Sequence, residues 1–500
     1  MRPAGTAPGV AAGVPELWDE LAGEVAAGRR FAGLLATARP GGVLLLSAHL
    51  AGQGGIGTLE AVLAAGAAGY PSLTPRLRAA FWYEREIYDM FGLLPEGHPR
   101  PEPLLLPLEP GQAARPRPGA PGGPAVAEPD PRAVPRHVLG PGLFTIPHGP
   151  VRSGVVESVE YLVETPGGDI AHLNMRVFHK HRGIEKRFEG MTAADGVLLA
   201  ERTEGTASVG HALAYCHALE QIAGAEVPRT GALVRALHAE LERLACHLDV
   251  AVRLTDAAGL AVATARFGWH KERVLRLVSR LCGSRFGRGV VVPGGVGALP
   301  SIGPGEILGE IGKLERAVTA DAGTLMGTAS FLDRLRGTGP LDPARAREHG
   351  ALGPVGKASG FTDDAREARP YDAYPSLGLR QPGPRTAGDA MARLQVRWDE
   401  VSQSFHLLRQ AADELGDAGT APLRAPCEPA DGRAVGWAEA PHGEVLYDVR
   451  LEDGRITRCR ARPASFHNLV LMHEVFAGDI LTDFPFIEAS FGLSIAGVSR

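Results

Sequence analysis

The sequence predicts an α+β protein: a small N-terminal α/β unit, a linker, and a larger unit whose helical core lies between β-rich ends. Three observations point there. The 500 residues exceed what one ordinary hydrophobic core accommodates. The run Pro116-Arg117-Pro118-Gly119-Ala120-Pro121-Gly122-Gly123-Pro124 supports neither helix nor ladder hydrogen bonds and so marks a break between domains. Beyond it, strand-like alternation gives way after residue 195 to leucines at helical spacing, and returns after residue 434.

Residues 1–106 form the first unit. Within it, residues 17–27 read as a short helix and residues 42–48, bounded by glycine, as a buried strand. Residues 107–140 are the linker, semi-rigid where proline dominates. Residues 141–500 form the second unit. Residues 155–163 and 170–178 read as two strands joined by a turn at Pro166-Gly167-Gly168. Leu237, Leu241, Leu244 and Leu248 follow at intervals of four, three and four, one stripe of a helix. Val274, Leu275, Leu277 and Leu281 repeat the pattern, and residues 391–415 form another long helix. A glycine- and proline-rich stretch over residues 336–388 interrupts the helices as a mobile loop. Residues 445–449 alternate as a strand in the tail.

Composition removes several function classes. Hydrophobic residues at 44% and charged residues at 22% are ordinary globular values. A formal net charge of -5 over this length gives no reason to expect nucleic acid or an anionic membrane surface as partner. The five cysteines, Cys216, Cys246, Cys282, Cys427 and Cys459, include no C-x-x-C pair, so no zinc or iron–sulfur site is spelled out. Their odd number and wide spacing indicate free thiols in a reducing compartment. The start, Met1-Arg2-Pro3-Ala4-Gly5, lacks the apolar stretch of a secretory signal. No run of about 18 apolar residues offers a membrane span. The expected location is cytoplasmic, with membrane association through other subunits.

Motifs narrow this further. Phe81-Trp82-Tyr83-Glu84-Arg85-Glu86-Ile87-Tyr88-Asp89-Met90-Phe91-Gly92, with His98-Pro99 after it, reads locally as an amphipathic helix ending at Gly92. It also resembles the signature of the C subunit of NADH–quinone oxidoreductase (complex I). Arg182-Gly183-Ile184-Glu185-Lys186, Glu240-Leu241-Glu242-Arg243-Leu244 and Arg462-Pro463-Ala464-Ser465-Phe466 resemble elements of its D subunit and of hydrogenase large subunits. The fused order resembles the large subunit of formate hydrogenlyase and hydrogenase-4 type [NiFe] hydrogenases. The resemblance implies a docking domain of the C-subunit kind, then a large-subunit-like domain with a helical-bundle core, in which Asp89 and Glu86 fix a domain interface.

Departures from the family pattern bound the chemistry. The nickel–iron segments read E-R-x-C-x-x-C and D-P-C-x-x-C-x-x-R; here their four cysteine positions fall on Glu204, Ala207, Ser494 and Gly497. Soft thiolates suit low-valent nickel and iron, whereas Ala207 and Gly497 offer no donor, so no metal is assigned to this chain. The quinone-reducing tyrosine position of complex I falls on Gly205, and the histidine position falls near Gly149, with His148 displaced by one residue. The resemblance nominates Glu204, His148, His211, Arg182 and Glu185 for chemistry, and Gly205, Ser494 and Arg500 for binding an acceptor. Burial is expected to raise the Glu204 carboxyl pKa, suiting it to proton transfer. Arg182 and Glu185, three apart, are expected to pair on one helix face. His179 and His181 lack a third ligand nearby. His238 with Glu242, and Arg243 with His247, read as helix-surface pairs.

The implied function is a catalytic-core subunit of a complex I-like or hydrogenase-4-like oxidoreductase, with a quinone-like acceptor cavity. The implied partners are a small iron–sulfur subunit resembling the B subunit and membrane antiporter-like subunits. Iron–sulfur clusters and NAD belong to those partners: Gly52, Gly54, Gly55 and Gly57 lack the following helix and acidic residue of a dinucleotide site. The complex would sit on the inner face of the cell membrane. A non-catalytic scaffold is the alternative.

Overall fold

Continuous apolar runs in the N-terminal residues produce a four-stranded sheet, two of whose strands are almost wholly buried. In the computed structural model, the described residues are 9–11, 13–106, 142–152, 157–380, 382–417, 421–476 and 478–500. The linker expected at 107–140 lies outside them. Contacts divide the chain into one unit of residues 1–182, 344–350 and 499, and another of residues 183–343, 351–498 and 500.

In the first unit, β1 (Gly9–Ala11), β2 (Arg30–Ala38), β3 (Leu44–Gly52) and β4 (Gly55–Leu63) form a sheet in the order β1-β4-β3-β2. The pairing of β1 with β4 is parallel, and the other two are antiparallel. Helix α1 (Val14–Ala26) buries Val14, Leu17, Trp18 and Leu21 along one side. Helix α2 (Phe81–Phe91) holds the charged-aromatic motif and ends at Gly92. Its Glu84 accepts hydrogen bonds from the hydroxyls of Ser72 and Thr74, both at 2.6 Å. Asp89 accepts from the amides of Leu104 and Leu105 at 2.8 and 2.6 Å, so it clamps backbone of its own unit. A meander of β5 (Phe144–His148), β6 (Glu160–Thr165) and β7 (His172–Arg176) completes this unit, its last two strands shorter than the expected ones.

The second unit is the helical one. The elements used below are α3 (Ile184–Phe188), α4 (Ala193–Ala200), α5 (Ser208–Ala223), α6 (Arg229–Ala257), α7 (Ala261–Cys282), α8 (Pro304–Met326) and α9 (Ala390–Asp417). The expected leucine stripe of α6 is wholly buried, with Leu237, Leu241, Leu244 and Leu248 each at 0% exposure. It joins Val274, Leu277 and Leu281 of α7 and Ile311 and Leu314 of α8 in one core. An antiparallel sheet of β8 (Gly432–Ala440), β9 (Gly443–Glu452) and β10 (Arg455–Arg462) covers α5. Gly436 permits that approach: a Cβ there would stand 2.1 Å from the Ala214 carbonyl oxygen. Helices α10 (Phe484–Phe491) and α11 (Ile495–Ser499) end the chain.

The stretch expected as a mobile loop packs instead. Short helices at Gly353–Ala358 and Ala365–Ala368 bury Lys357, Asp364 and Arg366. These join charged residues of α6 and α9, among them Arg243 and His247, expected as a helix-surface pair. Lys357 bonds Asp364 and Glu400, each at 2.7 Å; Arg366 bonds Asp364 at 2.8 Å and Glu240 at 3.0 Å. Arg243 reaches Glu240 and Glu400, and His247 bonds Glu400 at 2.7 Å. Three cations (Lys357, Arg366, Arg243) thus face three carboxylates (Asp364, Glu240, Glu400), which is how so much charge is tolerated out of water. Among the described residues no helix is long and apolar enough to cross a membrane.

Candidate functional site

The turn between α4 and α5 puts Glu204 where the chain's final helix packs. Glu204 is 1% exposed. Its Oε1 lies 2.8 Å from His442 Nε2, and its Oε2 lies 3.3 Å from His211 Nε2. Tyr447 continues the chain, its hydroxyl 2.8 Å from His211 Nδ1 and 3.1 Å from Thr203 Oγ1. The Thr206 hydroxyl stands 3.0 Å from His442 Nε2. His442 reaches this place because Pro441 and His442 are the two-residue connection of the β8–β9 hairpin, whose closing pair is Ala440 with Gly443.

The two motif stretches meet here. A Cβ on Gly497 would stand 2.4 Å from Glu204 Oε2. Ser494 caps α11, its hydroxyl accepting from the Gly497 amide, while its own amide donates to Ser465 Oγ. Gly497→Ala is expected to cost about 1–3 kcal/mol of stability through this overlap. Denaturant midpoints check it in two backgrounds. With Glu204→Gly the penalty should shrink, and an equal penalty in both would refute the contact.

Beside the turn opens a cavity of about 290 Å³ between the start of α5, α6, α7 and the 284–287 loop. Gly205, Thr206, His238, Glu242 and Cys246 contribute its polar and small wall, and Val209, Leu241, Leu275 and Val278 its apolar wall. Lys271, held by Asp249 at 2.7 Å, and the exposed Phe286 also line it. At Gly205 a Cβ would meet nothing within 4 Å, so the backbone turn itself borders open space.

Titration divides the groups. Burial alone would push the Glu204 carboxyl up, but His442 and His211 hold it down at about 2, the reverse of the expected rise. Glu204 is therefore an anion fixed between imidazoles. Glu242 behaves as Glu204 was expected to. Burial pushes its carboxyl up to about 8, against the opposing hydrogen bonds from the Val209 and Gly210 amides at 2.7 and 3.0 Å. Glu242 keeps part of its surface open and lines the cavity. His238 is buried, burial lowers it to about 4, and its Nδ1 has no hydrogen-bond partner. Neither residue sits on an outer helix surface.

A nickel–iron centre does not fit these residues. Ala207 is an inert buried methyl, and the space beside Gly497 belongs to the Glu204 carboxylate. The two imidazoles address opposite oxygens of that carboxylate rather than a common point. Among the described residues no three His, Cys, Asp or Glu side chains are placed to hold a metal ion.

The nominated residues divide three ways. Glu204, Gly205 and His211 gather at the turn, with Ser494 on α11 nearby. Glu185 and Arg500 pair with each other at 2.8 Å, and Glu185 also bonds Arg460 at 2.8 Å, so this carboxylate closes a buried salt bridge. Neither lines the cavity. Arg182 precedes α3 and is exposed, so it does not share a helix face with Glu185. His148 ends β5 in the first unit, exposed, with its ring 6.5 Å from that of Tyr161. His442, Cys246 and Thr206 escaped the sequence reading. A proline-histidine-glycine turn signals a hairpin, and nothing local signals its partner.

Comparison with known proteins agrees with this architecture. Residues 260–426 and 423–500 match the family profile "Respiratory-chain NADH dehydrogenase, 49 Kd subunit". Residues 53–116 match "Respiratory-chain NADH dehydrogenase, 30 Kd subunit". The carbon monoxide-induced hydrogenase of Rhodospirillum rubrum is 29% identical over 360 residues, covering 71% of this chain and 99% of that protein. Hydrogenase-4 component G of Escherichia coli is 29% identical over 451 residues, covering 86% and 76%. A chain in the structure of the membrane-bound sulfane sulfur reductase, an archaeal respiratory membrane complex, superposes with a TM-score of 0.67 at 23% identity. It covers 72% of this chain and 100% of that one, a likeness of fold.

Proposed function

We propose, on the premise that this chain belongs to the respiratory-chain NADH dehydrogenase family and joins its 30 kDa and 49 kDa subunit domains in one polypeptide, that it is the acceptor-binding core subunit of a membrane-associated oxidoreductase. The cavity takes the head group of a quinone-like acceptor. Electrons arrive from an iron–sulfur cluster on a small partner subunit, NAD binds elsewhere in the complex, and membrane antiporter-like subunits hold the assembly at the inner face of the membrane.

One observation supports this reading above the others. The cavity wall presents Glu242, a carboxyl that still holds its proton at neutral pH, beside His238, a neutral imidazole with an unpartnered ring nitrogen. A quinone that gains two electrons takes up two protons at its oxygens: Glu242 supplies one, His238 holds the ring by a hydrogen bond, and the second comes from solvent water. The apolar wall of Val209, Leu241, Leu275 and Val278 suits a flat ring. Glu204, His211 and His442 fix the turn that shapes one side.

The test is purification of the complex, metal analysis, and reduction of a short-chain quinone. Turnover with substoichiometric nickel, lowered by His238→Phe, is the expected result. Stoichiometric nickel, or turnover indifferent to every cavity substitution while loss of residues 1–106 breaks assembly, would replace it with a hydrogenase or a scaffold.

A further inference from the structure

Among the described residues of the cavity wall, Phe286 is the one phenylalanine, tyrosine or tryptophan, and it is 45% exposed. An open aromatic ring on a loose loop would mean little, but this loop is fastened at both ends. Gly283 caps α7 in the left-handed region, and Ser284 Oγ accepts from the Phe286 and Arg288 amides at 3.3 and 3.2 Å. Arg285 grips Glu272 of α7 through two bonds of 2.8 and 2.7 Å. Glu201, buried just after α4, accepts from the Gly289 amide at 2.5 Å. The Arg288 guanidinium carbon stands 5.3 Å from the Phe286 ring centre and braces one face. The ring is therefore held in place before a ligand arrives, and little freedom is lost when one binds.

Gly287 sets how closely the loop approaches the helices. A Cβ there would stand 2.7 Å from Val209 Cγ2 and 3.7 Å from His238 Nδ1. Bare backbone lets the loop close on α5 and α6 and puts no side chain over the unpartnered His238 nitrogen. Phe286 thus stands next to the residue that closes on the hydrogen-bonding end of the cavity.

We propose that Phe286 determines acceptor specificity at this site, selecting a fused two-ring quinone head over a single ring. The inference rests on the quinone reading of the cavity. Beside the loop, Leu275 and Val278 of α7 present hydrocarbon. The two cations on this wall, Lys271 and Arg285, are already engaged by Asp249 and Glu272. Oxygen substituents on a single ring therefore gain little there. A second, fused ring gains stacking contact with Phe286 and takes apolar surface of both partners out of water.

The purified complex is dialysed to equilibrium against dimethylnaphthoquinone, which has two fused rings, or duroquinone, which has one; both are uncharged and carry no long tail. The wild type should bind the naphthoquinone about tenfold more tightly, the scale of one aromatic pair. Phe286→Leu should weaken the naphthoquinone about tenfold and duroquinone less than about threefold, so that the preference falls below about threefold. Phe286→Tyr keeps the ring and should hold the preference to within about twofold. Equal affinities in the wild type, a preference kept by Phe286→Leu, or one lost in Phe286→Tyr would overturn the assignment. So would loss of a partner subunit from the Phe286→Leu complex, which would make the ring an interface residue. Dialysis reads binding without turnover. A complex that shows the preference yet reduces neither quinone refutes the functional reading and leaves the specificity of this wall standing.

Discussion

Glu242→Gln is expected to lower quinone turnover about a hundredfold at neutral pH with the fold intact, the scale of a lost general acid. The physical case rests on where the carboxyl sits. Burial lifts it most, the nearby negative charge of Glu204 adds to this, the amides of Val209 and Gly210 pull it part of the way back, and the outcome is about 8. It is therefore protonated at neutral pH yet close enough to the working range to give the proton up. Glutamine keeps the shape and carries no transferable proton, and its carboxamide oxygen accepts one of the two amide hydrogen bonds. The measurement is turnover against pH. The wild-type profile should fall above about pH 8, and the variant should stay low and flat; wild-type turnover in the variant removes Glu242 from the chemistry. A second readout follows from linkage. This carboxyl titrates at about 8 in the folded chain against an ordinary 4.5, so the folded state binds the proton more tightly. Its contribution to stability is complete below pH 4.5 and is lost as pH rises through 8. Glu242→Gln should flatten that part of the stability curve, measured by denaturant midpoints between those limits.

Local periodicity made much of the helical unit legible. The leucines of α6 are buried as their spacing implies, because a 3.6-residue stripe depends on neighbours one turn away. Leu275 lies at the edge of its stripe: it is only partly buried, packing against the core on one side and bordering the cavity on the other. The glycine- and proline-rich stretch was misread because Lys357, Asp364 and Arg366 find their opposite charges on α6 and α9, far away in sequence. The site divides along the same line. Its turn was recognisable in the residues around Glu204. The direction of the Glu204 titration was not, since it depends on a hairpin histidine more than two hundred residues later. Glu242 looked like a surface partner of His238 because they stand one turn apart, and only the packing of α7 and the start of α5 encloses both.

Glu400→Ala is expected to be the most destabilising single change in the second unit, at about 3–5 kcal/mol, the cost of stripping one partner from a buried ionic set. Glu400 is 1% exposed and neutralises Lys357 at 2.7 Å while accepting from His247 at 2.7 Å. Removing it leaves three buried cations against two carboxylates, with Lys357 and Arg243 the least compensated. The pH sign is opposite to that of Glu242. Burial would raise the Glu400 carboxyl, but Lys357 and His247 hold it well below its ordinary 4.5. Its stabilising effect is therefore present above pH 4.5 and lost as pH falls below it. Acid unfolding of the wild-type chain should be steep there, and the variant should be both weaker at pH 7 and less sensitive to further acid. Exchanging Lys357 and Glu400 together for methionine should recover much of the loss, because an apolar pair needs no counter-charge. Equal destabilisation by the single and double changes would mean that Glu400 acts through packing and not through charge balance.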